Sequence, residues 1–401
     1  MYTEQRSLLE GVRVLDLSRV LAGPYCTMIL GDLGADIIKI EAPVLGDDTR
    51  HWGPPFAGGG ESAYFLCVNR NKRSLTLNLR SKQGIEILKE LIRKSDILVE
   101  NFRVDTMEKW GLDYQALQGL HPGMIYCTIT GYGYTGPYRH LPGYDFIIQA
   151  QGGVMSITGP ENGEPYKVGV AIADITAGLF ACNAILAALF EHQRSGRGQR
   201  IDISLLDSQI AWLANVGSNY LISGEKPVRY GNAHPNIVPY QTFKAQDGYF
   251  ALAIGNDNQW RLFCEHTGTQ EWAEDELYST NAKRVENRAS LIPLLDELFA
   301  QYEIAHWLAL LEEIGVPCGP INTIDQLMDD PQVKAREMVI EVDHNRAGPI
   351  KMVASPLKIP TAPPVVRLPP PRLGEHTGQI LHELLGFDEQ AMKDLRAAQV
   401  I

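Results

Sequence analysis

The chain has 401 residues, 45% hydrophobic and 21% charged, which is typical of a globular protein long enough for two domains. Its formal net charge of −12 argues against nucleic acid or an anionic membrane as main partner, although a local basic patch can still bind a small anion. The six widely spaced cysteines, without a Cys-x-x-Cys pair, predict neither a disulfide framework nor a zinc site. We expect a reduced, cytoplasmic setting, since the first residues lack the apolar segment of a secretory signal.

The first half of the chain alternates short apolar runs with helical periodicity. Residues 12–17 and 36–41 are predicted strands, and Gly23-Pro24 opens an amphipathic helix between them. Strand, helix and strand within about thirty residues form a βαβ unit, which favours a parallel sheet. We therefore predict a Rossmann-like α/β domain. The alternation continues with strands over residues 73–79, 96–100 and 124–130 and a helix over residues 84–93.

The character of the sequence changes near residue 224. We predict a large domain over residues 1–224, a smaller α+β domain over residues 225–325, and a C-terminal segment of residues 326–401 that returns to the large domain. Five prolines between Thr361 and Pro371 predict an extended strap over the surface. The predicted elements after residue 140 are helices over 144–151, 175–193, 203–222, 286–301, 303–314 and 376–385, strands over 240–245 and 249–253, and a basic glycine turn over 194–200.

Asp174 is the most informative single residue, because it is the only charge between Lys167 and Glu191. An ionised carboxylate is costly in apolar surroundings unless something holds or uses it. A carboxylate with few hydration partners is a potential nucleophile toward a carbonyl, but aspartate is also a favoured N-cap of a helix. This segment alone leaves both roles open. Residues 168–190 are long enough for a membrane span, yet their glycine and threonine breaks and Asp174 favour a buried helix.

Other loops offer weaker indications of a binding site. The Arg19–Pro24 turn follows the first strand, where phosphate groups dock in open α/β sheets, and Glu41 ends the next strand like a ribose-binding acid. The Gly-x-Gly-x-x-Gly pattern is missing, so NAD binding is not supported. The cationic run Asn69–Ser74 predicts either a solvated turn or a phosphate clamp. Motifs of zinc hydrolases, serine esterases and kinases are also missing.

Taken in chain order, these segments resemble the class III CoA-transferases over nearly the whole chain. Each motif is weak alone, but the ordered series is specific. The matching segments are residues 9–17, 19–24, 31–41, 46–50, 71–74, 99–102, 131–133, 315–320 and 373–377.

The resemblance implies a mechanism and an assembly. The family nucleophile falls on Asp174, which would form an acyl–aspartyl anhydride with the donor acid and then a β-aspartyl-CoA thioester. This requires an ionised Asp174 at neutral pH, which a helix N-terminus favours. Coenzyme A and acyl-CoA are then substrates, and no tightly bound cofactor or metal is expected. The family fold is an interlocked, ring-like homodimer, and we expect the same assembly here.

The resemblance also implies site residues, position by position. Tyr144 and Asp145 match an active-site tyrosine–acid pair, and Gly255 falls in a mobile loop that has fewer glycines here than in the family. Leu21 replaces a glutamine of formyl-CoA transferase, which argues against formyl or oxalyl substrates, and Ala42 replaces a nucleotide-contacting arginine. The positions on the expected path of CoA are Val20, Leu21, Ala22, Leu77, Arg80, Asn101, Phe102, Lys109 and Trp110.

The runs at residues 157–163 and 231–240 are most similar to the succinyl-CoA branch, so we predict CoA transfer from succinyl-CoA to a dicarboxylic or hydroxy-dicarboxylic acid. The remote carboxylate needs a cation or hydrogen-bond donors. The alternatives are an α-methylacyl-CoA racemase, a transferase for formate, oxalate or carnitine, and a CoA-binding module without activity. A racemase needs a His–Asp pair, and Tyr144 stands where its histidine would be. Candidates for the remote carboxylate are Arg50, His51, Arg139, His140 and His234, each of which could instead be a surface charge or a structural hydrogen-bond partner.

Overall fold

The computed structural model describes residues 7–401. The predicted strands of the first half and of the 240–253 region are confirmed within a few residues. The strands are β1 (Arg13–Asp16), β2 (Asp36–Glu41), β3 (Phe56–Ala57), β4 (Glu61–Ser62), β5 (Lys72–Thr76), β6 (Ile97–Glu100), β7 (Ile125–Thr130), β8 (Gln199–Ser204), β9 (Tyr240–Lys244), β10 (Tyr249–Ala253), β11 (Cys318–Pro320), β12 (Val339–His344) and β13 (Gly348–Val353).

Helices account for most of the remaining regular structure. They are α1 (Ala22–Asp32), α2 (Ala63–Cys67), α3 (Lys82–Arg93), α4 (Thr106–Lys109), α5 (Tyr114–Leu120), α6 (Asp145–Gln151), α7 (Val154–Ile157), α8 (Ile172–Ser195), α9 (Leu205–Trp212), α10 (Ala214–Ser223), α11 (Asp257–Thr267), α12 (Gln270–Glu274), α13 (Asn281–Glu286), α14 (Arg288–Phe299), α15 (Ile304–Glu313), α16 (Ile324–Asp329), α17 (Pro331–Ala335), α18 (Thr377–Leu385) and α19 (Glu389–Ala397). Two short 3₁₀ turns cover Asp48–His51 and Gly58–Gly60.

The central feature is a parallel sheet of six strands in the order β5-β2-β1-β6-β7-β8. This is the strand order of a doubly wound Rossmann-type sheet, and it confirms the predicted α/β class. The chain reverses its direction of winding between β1 and β6. In such sheets ligands bind outside the carboxyl ends of the strands at this reversal, so the topology indicates where a site should lie.

Consecutive strand residues alternate between two buried layers, because strand side chains point to opposite faces of the sheet. Val14 and Ile97 pack on one face with α1 and α8. Leu15 and Leu98 pack on the other face with α3, α18 and α19. Burial on both faces explains why these strands appear in the sequence as nearly continuous apolar runs.

The structure differs from the prediction at several places, among them the edge of the parallel sheet and the C-terminal helices. Residues 199–204 form β8, where the sequence predicts a basic turn and then a helix from residue 203. Ile201 and Ile203 alternate with polar residues, and pairing with β7 satisfies the backbone groups of that strand's free edge. In addition, the sequence predicts the helix over residues 376–385 as the last one, but α19 follows Gly386 and buries Met392 and Leu395.

The proline-rich segment is a surface strap, as predicted. It contains no helix or strand, and its backbone is held by the main body of the fold. The Val365 amide donates to the Asp32 carbonyl at 3.3 Å. The Arg367 amide donates to Asn71 Oδ1 at 2.6 Å, and the Asn71 amide donates to the Leu368 carbonyl at 2.9 Å. Side-chain and backbone bonds therefore replace regular secondary structure over this segment.

The described chain forms two compact units. One contains residues 7–154, Val168–Ser218 and Lys334–Ile401, and the other contains Met155–Lys167 and Asn219–Val333. The second unit has its own core around Phe243, Trp260 and Phe299. The domain limits near residues 224 and 325 stay a prediction, because a compact unit and an independently folding domain are different properties.

Within residues 7–401, α8 is the one helix long and apolar enough to cross a bilayer by length and composition. A core helix passes the same test. Ala173, Ala177, Ala181 and Ile185 form a buried stripe that packs in the same core layer as α1. The small residues of this stripe allow α1 and α8 to approach closely.

Gly178 tests this close approach. A methyl group at Gly178 would lie 2.6 Å from the Ala22 carbonyl oxygen, which is too close for a backbone atom that cannot move away. We expect Gly178→Ala to lower the free energy of unfolding by about 1–3 kcal/mol, measured by urea denaturation. Gly378→Ala is the matched control, because Gly378 is also helical and has open space around it. Equal effects of the two changes would contradict this packing.

Candidate active site

A cavity of about 400 Å³ opens at the carboxyl ends of β1, β6 and β7, beside the reversal point of the sheet. Its wall consists of the loops that follow these strands, together with two residues from α8 and α9. The lining residues are 19–22, 101–106, 129–131 and 139–144, with Asp48, Lys109, Asp174 and Leu205. The topology thus brings together residues that are far apart in the sequence.

The loop after β1 has an unusual backbone conformation. Val20 has a φ angle of 71°, a left-handed conformation that is rare for a β-branched residue. Its amide donates to both carboxylate oxygens of Asp47 at 3.3 Å. The Arg19 amide donates to Asn101 Oδ1 at 2.9 Å, and Asn101 Nδ2 donates to the Arg19 carbonyl at 2.7 Å. Two neighbouring loops therefore hold Val20 in this strained conformation.

Buried ion pairs lie directly beneath this loop. Lys39 pairs with Asp47 at 2.9 Å and donates to the Ser18 carbonyl at 2.9 Å, and Lys72 pairs with Asp16 at 3.0 Å. Burial alone would raise the pKa of Asp16, but the ammonium groups of Lys72 and Lys39 lower it to about 2. Burial lowers the pKa of Lys72 to about 8 despite the attraction of Asp16. These pairs are closed to solvent, so they support the site and do not contact substrate.

Helix α8 is capped by a residue from another helix. Asp145 Oδ1 accepts a hydrogen bond from the Ala173 amide at 2.8 Å, while Gln149 Nε2 donates to Asp145 Oδ2 at 2.8 Å. The N-cap position of α8 is Ala171, whose side chain makes no cap bond. The N-cap interpretation of Asp174 is therefore wrong, because this residue lies in the first turn. Asp145 performs the capping, and no described residue of 7–401 donates a hydrogen bond to the Asp174 carboxylate.

The electrostatic environment of Asp174 favours the protonated acid. Burial, followed by repulsion from the Asp145 carboxylate, raises the pKa of Asp174 to about 7. A pKa near 7 leaves Asp174 partly ionised at neutral pH, so the ionised form that the predicted mechanism requires is still populated. A poorly solvated carboxylate is also more reactive as a nucleophile once it is ionised.

Tyr64 is a neighbour of Asp174 that sequence reasoning missed. Burial and the nearby Asp174 carboxylate raise the pKa of Tyr64 to about 12. Its ring lies in an edge-on contact with Trp52, with centroids 5.2 Å apart, and packs in one cluster with Val20 and Ile175. The sequence contains 16 tyrosines, and no local pattern distinguishes this one.

The positions predicted for CoA binding fall into three groups. Val20, Leu21, Ala22, Asn101, Phe102 and Lys109 line the cavity, as does Tyr144. Trp110 supports this wall from behind, since its ring contacts that of Phe102 edge-on at 5.2 Å. Leu77 is buried in the core beside α3, and Arg80 is exposed on the surface. The structure therefore does not bring Leu77 and Arg80 to the cavity.

The five cations proposed for a remote carboxylate are also separated. Arg139 and His140 line the cavity. Arg50 lies outside it and donates to both oxygens of Glu41 at 2.7 Å. His51 is exposed, and its Nε2 lies 2.9 Å from the Leu45 carbonyl oxygen.

The two site residues predicted in the second compact unit make local contacts. His234 Nδ1 accepts from the Asn236 amide at 3.0 Å, and burial and the nearby Arg288 lower the pKa of His234. The Gly255 amide donates to Gln259 Oε1 at 2.9 Å. The hydrogen bond of His234 agrees with the alternative in which this residue is a structural hydrogen-bond partner.

The cationic run of residues 69–74 is neither a solvated turn nor an open phosphate clamp. Arg70 pairs with Asp32 at 2.6 Å, and Lys72 is buried against Asp16. Arg73 pairs with Asp36 at 2.7 Å. Each cation of the run is thus bound to a carboxylate of the same fold, which the local sequence could not reveal because the partners lie on other elements.

The fold and the cavity define an α/β enzyme with a carboxylate at the reversal point of its sheet. Residues 9–377 match the family model for CoA-transferase family III. The chain is 46% identical over 393 residues to the succinyl-CoA:glutarate CoA-transferase of Mus musculus, covering 98% of this chain and 90% of that protein. It is 45% identical over 388 residues to the succinate–glutarate CoA-transferase of Agrobacterium fabrum, covering 96% and 97%.

A crystal structure of a CAIB/BAIF family protein from Brucella suis has a TM-score of 0.83 and 46% identity, covering 95% of this chain and 100% of that one. The chain belongs to CoA-transferase family III, and it is a CoA-transferase. Its resemblance to that family is thereby confirmed. The alternatives of a racemase and of a CoA-binding module without activity are not supported.

Burial of Asp174 has a consequence for stability. Its pKa is near 7 in the folded chain, against 3.8 for an ordinary solvated aspartate, so unfolding releases a proton between pH 4 and 7 that the folded chain retains. Folding therefore becomes less favourable as pH rises over this range, by on the order of 2 kcal/mol after allowance for partial exposure. We expect Asp174→Asn to raise Tm increasingly from pH 4 to pH 7, with a constant gain above. A gain that is the same at every pH would argue against a buried, repelled carboxylate.

The repulsion from Asp145 has a separate test. Asp145→Asn keeps a side-chain oxygen for the Ala173 amide but removes the charge beside Asp174. The acid limb of the pH profile of kcat/KM should move to lower pH, because Asp174 then ionises more easily. Asp48→Asn is the matched control, since Asp48 lines the same cavity but does not contribute to the pKa shift of Asp174. An unmoved acid limb in Asp145→Asn would contradict this assignment.

Proposed function

We propose that this enzyme transfers CoA from succinyl-CoA to a dicarboxylic or hydroxy-dicarboxylic acid, with glutarate as the first acceptor to test. The observation that carries the proposal is the Asp174 carboxylate, which lies on the wall of a cavity with cationic residues and has no hydrogen-bond donor among the described residues. Relatives named for succinyl-CoA and glutarate, at about 45% identity over nearly the full length, support this choice of substrates.

We propose covalent catalysis by Asp174. Its ionised oxygen attacks the thioester carbonyl of succinyl-CoA, the carbon–sulfur bond breaks, and a mixed anhydride and CoA thiolate form. The thiolate attacks the Asp174 carbonyl of the anhydride, which releases succinate and leaves a β-aspartyl-CoA thioester. The acceptor carboxylate attacks this thioester to form a second anhydride and thiolate. The thiolate then attacks the acceptor carbonyl, which releases the new acyl-CoA and regenerates Asp174.

The proposal assigns the oxyanions of these steps to backbone amides. The loop of residues 19–22 lines the cavity and leads into α1, whose first amides have no partner within the helix. Its strained backbone is held by Asp47 and Asn101, so these donors are arranged before substrate binds. Preorganised donors of this kind stabilise developing negative charge without reorganisation.

Further elements of the proposal concern CoA and the assembly. Phe102 and Lys109 lie on the cavity wall, where an aromatic face and a positive charge suit the coenzyme. Gly255 is proposed to belong to a mobile loop. We further propose an interlocked homodimer in the cytoplasm, with coenzyme A as a substrate and no tightly bound cofactor.

The covalent adduct tests the mechanism. After mixing with succinyl-CoA, intact-protein mass spectrometry should detect an enzyme–CoA thioester that hydroxylamine removes. Asp174→Ala should bind CoA, form no adduct, and lose turnover by at least ~10³-fold. Asp394→Ala, on the exposed face of α19, should retain adduct and turnover. The proposal is wrong if Asp174→Ala still forms the adduct, or if the wild-type enzyme forms no CoA ester across a panel of dicarboxylic acids.

A further inference from the structure

One cation on the cavity wall has an unsatisfied hydrogen-bond donor. Arg139 lines the same cavity as Asp174, and its Nη2 donates to Asp105 Oδ1 at 2.6 Å. Its Nε is buried and has no hydrogen-bond partner among residues 7–401. Because Nε is closed to solvent while 36% of the side chain is exposed, a ligand in the cavity would meet the guanidinium at its outer nitrogens.

Asp105, the partner of Arg139, has an uncommon backbone conformation. Its φ angle is 68°, in the left-handed region that favours glycine, yet a carboxylate stands there. That carboxylate also lies 3.6 Å from His140 Nδ1. A glycine at position 105 would relieve the backbone strain but would leave Arg139 without its partner. The Asp105 carboxylate accepts a hydrogen bond from Arg139 at 2.6 Å, which is the contact expected of a positioning residue.

The other predicted cations of the first unit are less suited to a substrate carboxylate. Both oxygens of Glu41 bind Arg50, which lies outside the cavity. His51 also lies outside it, and His140 is largely exposed to solvent. Arg19 lines the cavity, but its guanidinium pairs with Asp48 at 3.1 Å. Arg139 combines a cavity position with a guanidinium that the Asp105 carboxylate holds in place.

We propose that Arg139 is the specificity-determining residue that binds the remote carboxylate of the dicarboxylic acid, and that Asp105 is its positioning residue. This inference rests on the proposed function. A planar guanidinium presents paired donors that match the two oxygens of a carboxylate, and its positive charge strengthens both bonds. A monocarboxylic acid of similar length has no group to place there. Arg139 thus selects diacids, while Asp174 performs the same chemistry on either class.

The test compares two acceptors that differ in the remote group. With succinyl-CoA as donor, kcat/KM is measured for glutarate and for butyrate, and free CoA is tested as an inhibitor. Arg139→Met should lower kcat/KM for glutarate about 10–100-fold relative to butyrate, the factor expected for a lost charge-assisted hydrogen bond. The inhibition constant of CoA should not change. Arg139→Lys should recover part of the loss, because it restores the charge without the fork.

Two further variants separate positioning from general damage to the fold. Asp105→Gly suits the left-handed backbone, so it should fold normally and raise KM for glutarate with little change in kcat. Arg93→Met, at an exposed arginine of α3 outside the cavity, should leave both acceptors unaffected.

Several outcomes would overturn the inference. If Arg139→Met weakens CoA inhibition, or lowers the two acceptors equally, then Arg139 contacts the coenzyme and not the remote carboxylate. An unchanged preference for glutarate over butyrate would also reject it. Failure of the proposed function is distinct, because then the wild-type enzyme itself would transfer no CoA to any dicarboxylic acid.

Discussion

The buried ion pairs below the first strand's loop are the constraint on which the cavity depends. Lys39 and Lys72 are closed to solvent, and a buried charge that loses its partner is strongly destabilising. The need to keep these charges paired holds Asp16 and Asp47 in place. Asp47 in turn accepts a hydrogen bond from the Val20 amide and so maintains the left-handed backbone of Val20. Buried ion pairs that do not contact substrate therefore maintain one wall of the cavity.

A second constraint concerns the carboxylates of Asp145 and Asp174, which have different surroundings. Asp145 accepts hydrogen bonds from the Ala173 amide and from Gln149, and so it caps α8. Asp174 follows Ala173 directly in that helix and has no such donors among the described residues. Burial and the charge of Asp145 raise the pKa of Asp174 to about 7. Similar groups thus acquire different hydrogen-bond partners and different pKa values from their surroundings.

Much of the fold was predictable because strands buried on both faces leave a strong pattern. The runs that became β1, β2, β6 and β7 are nearly continuous apolar segments, and their order indicates a parallel sheet. The edge strand β8 was missed, because its polar residues resemble a turn until the pairing with β7 is known. Likewise, nothing local shows that Arg70 and Arg73 are bound to Asp32 and Asp36.

The sequence by itself determined the fold class and the family and singled out Asp174 as a candidate, because ordered motifs and a lone charge in an apolar run can be recognised along the sequence. Only the tertiary structure decided which groups surround that charge. In the structure, Asp145 caps helix α8 and Tyr64 lies beside Asp174. Arg139 lines the cavity, whereas Arg50 binds Glu41 outside it. Hydrogen bonds, desolvation and ion pairing depend on the distances between elements in space, and these distances cannot be read from the separation of residues along the sequence.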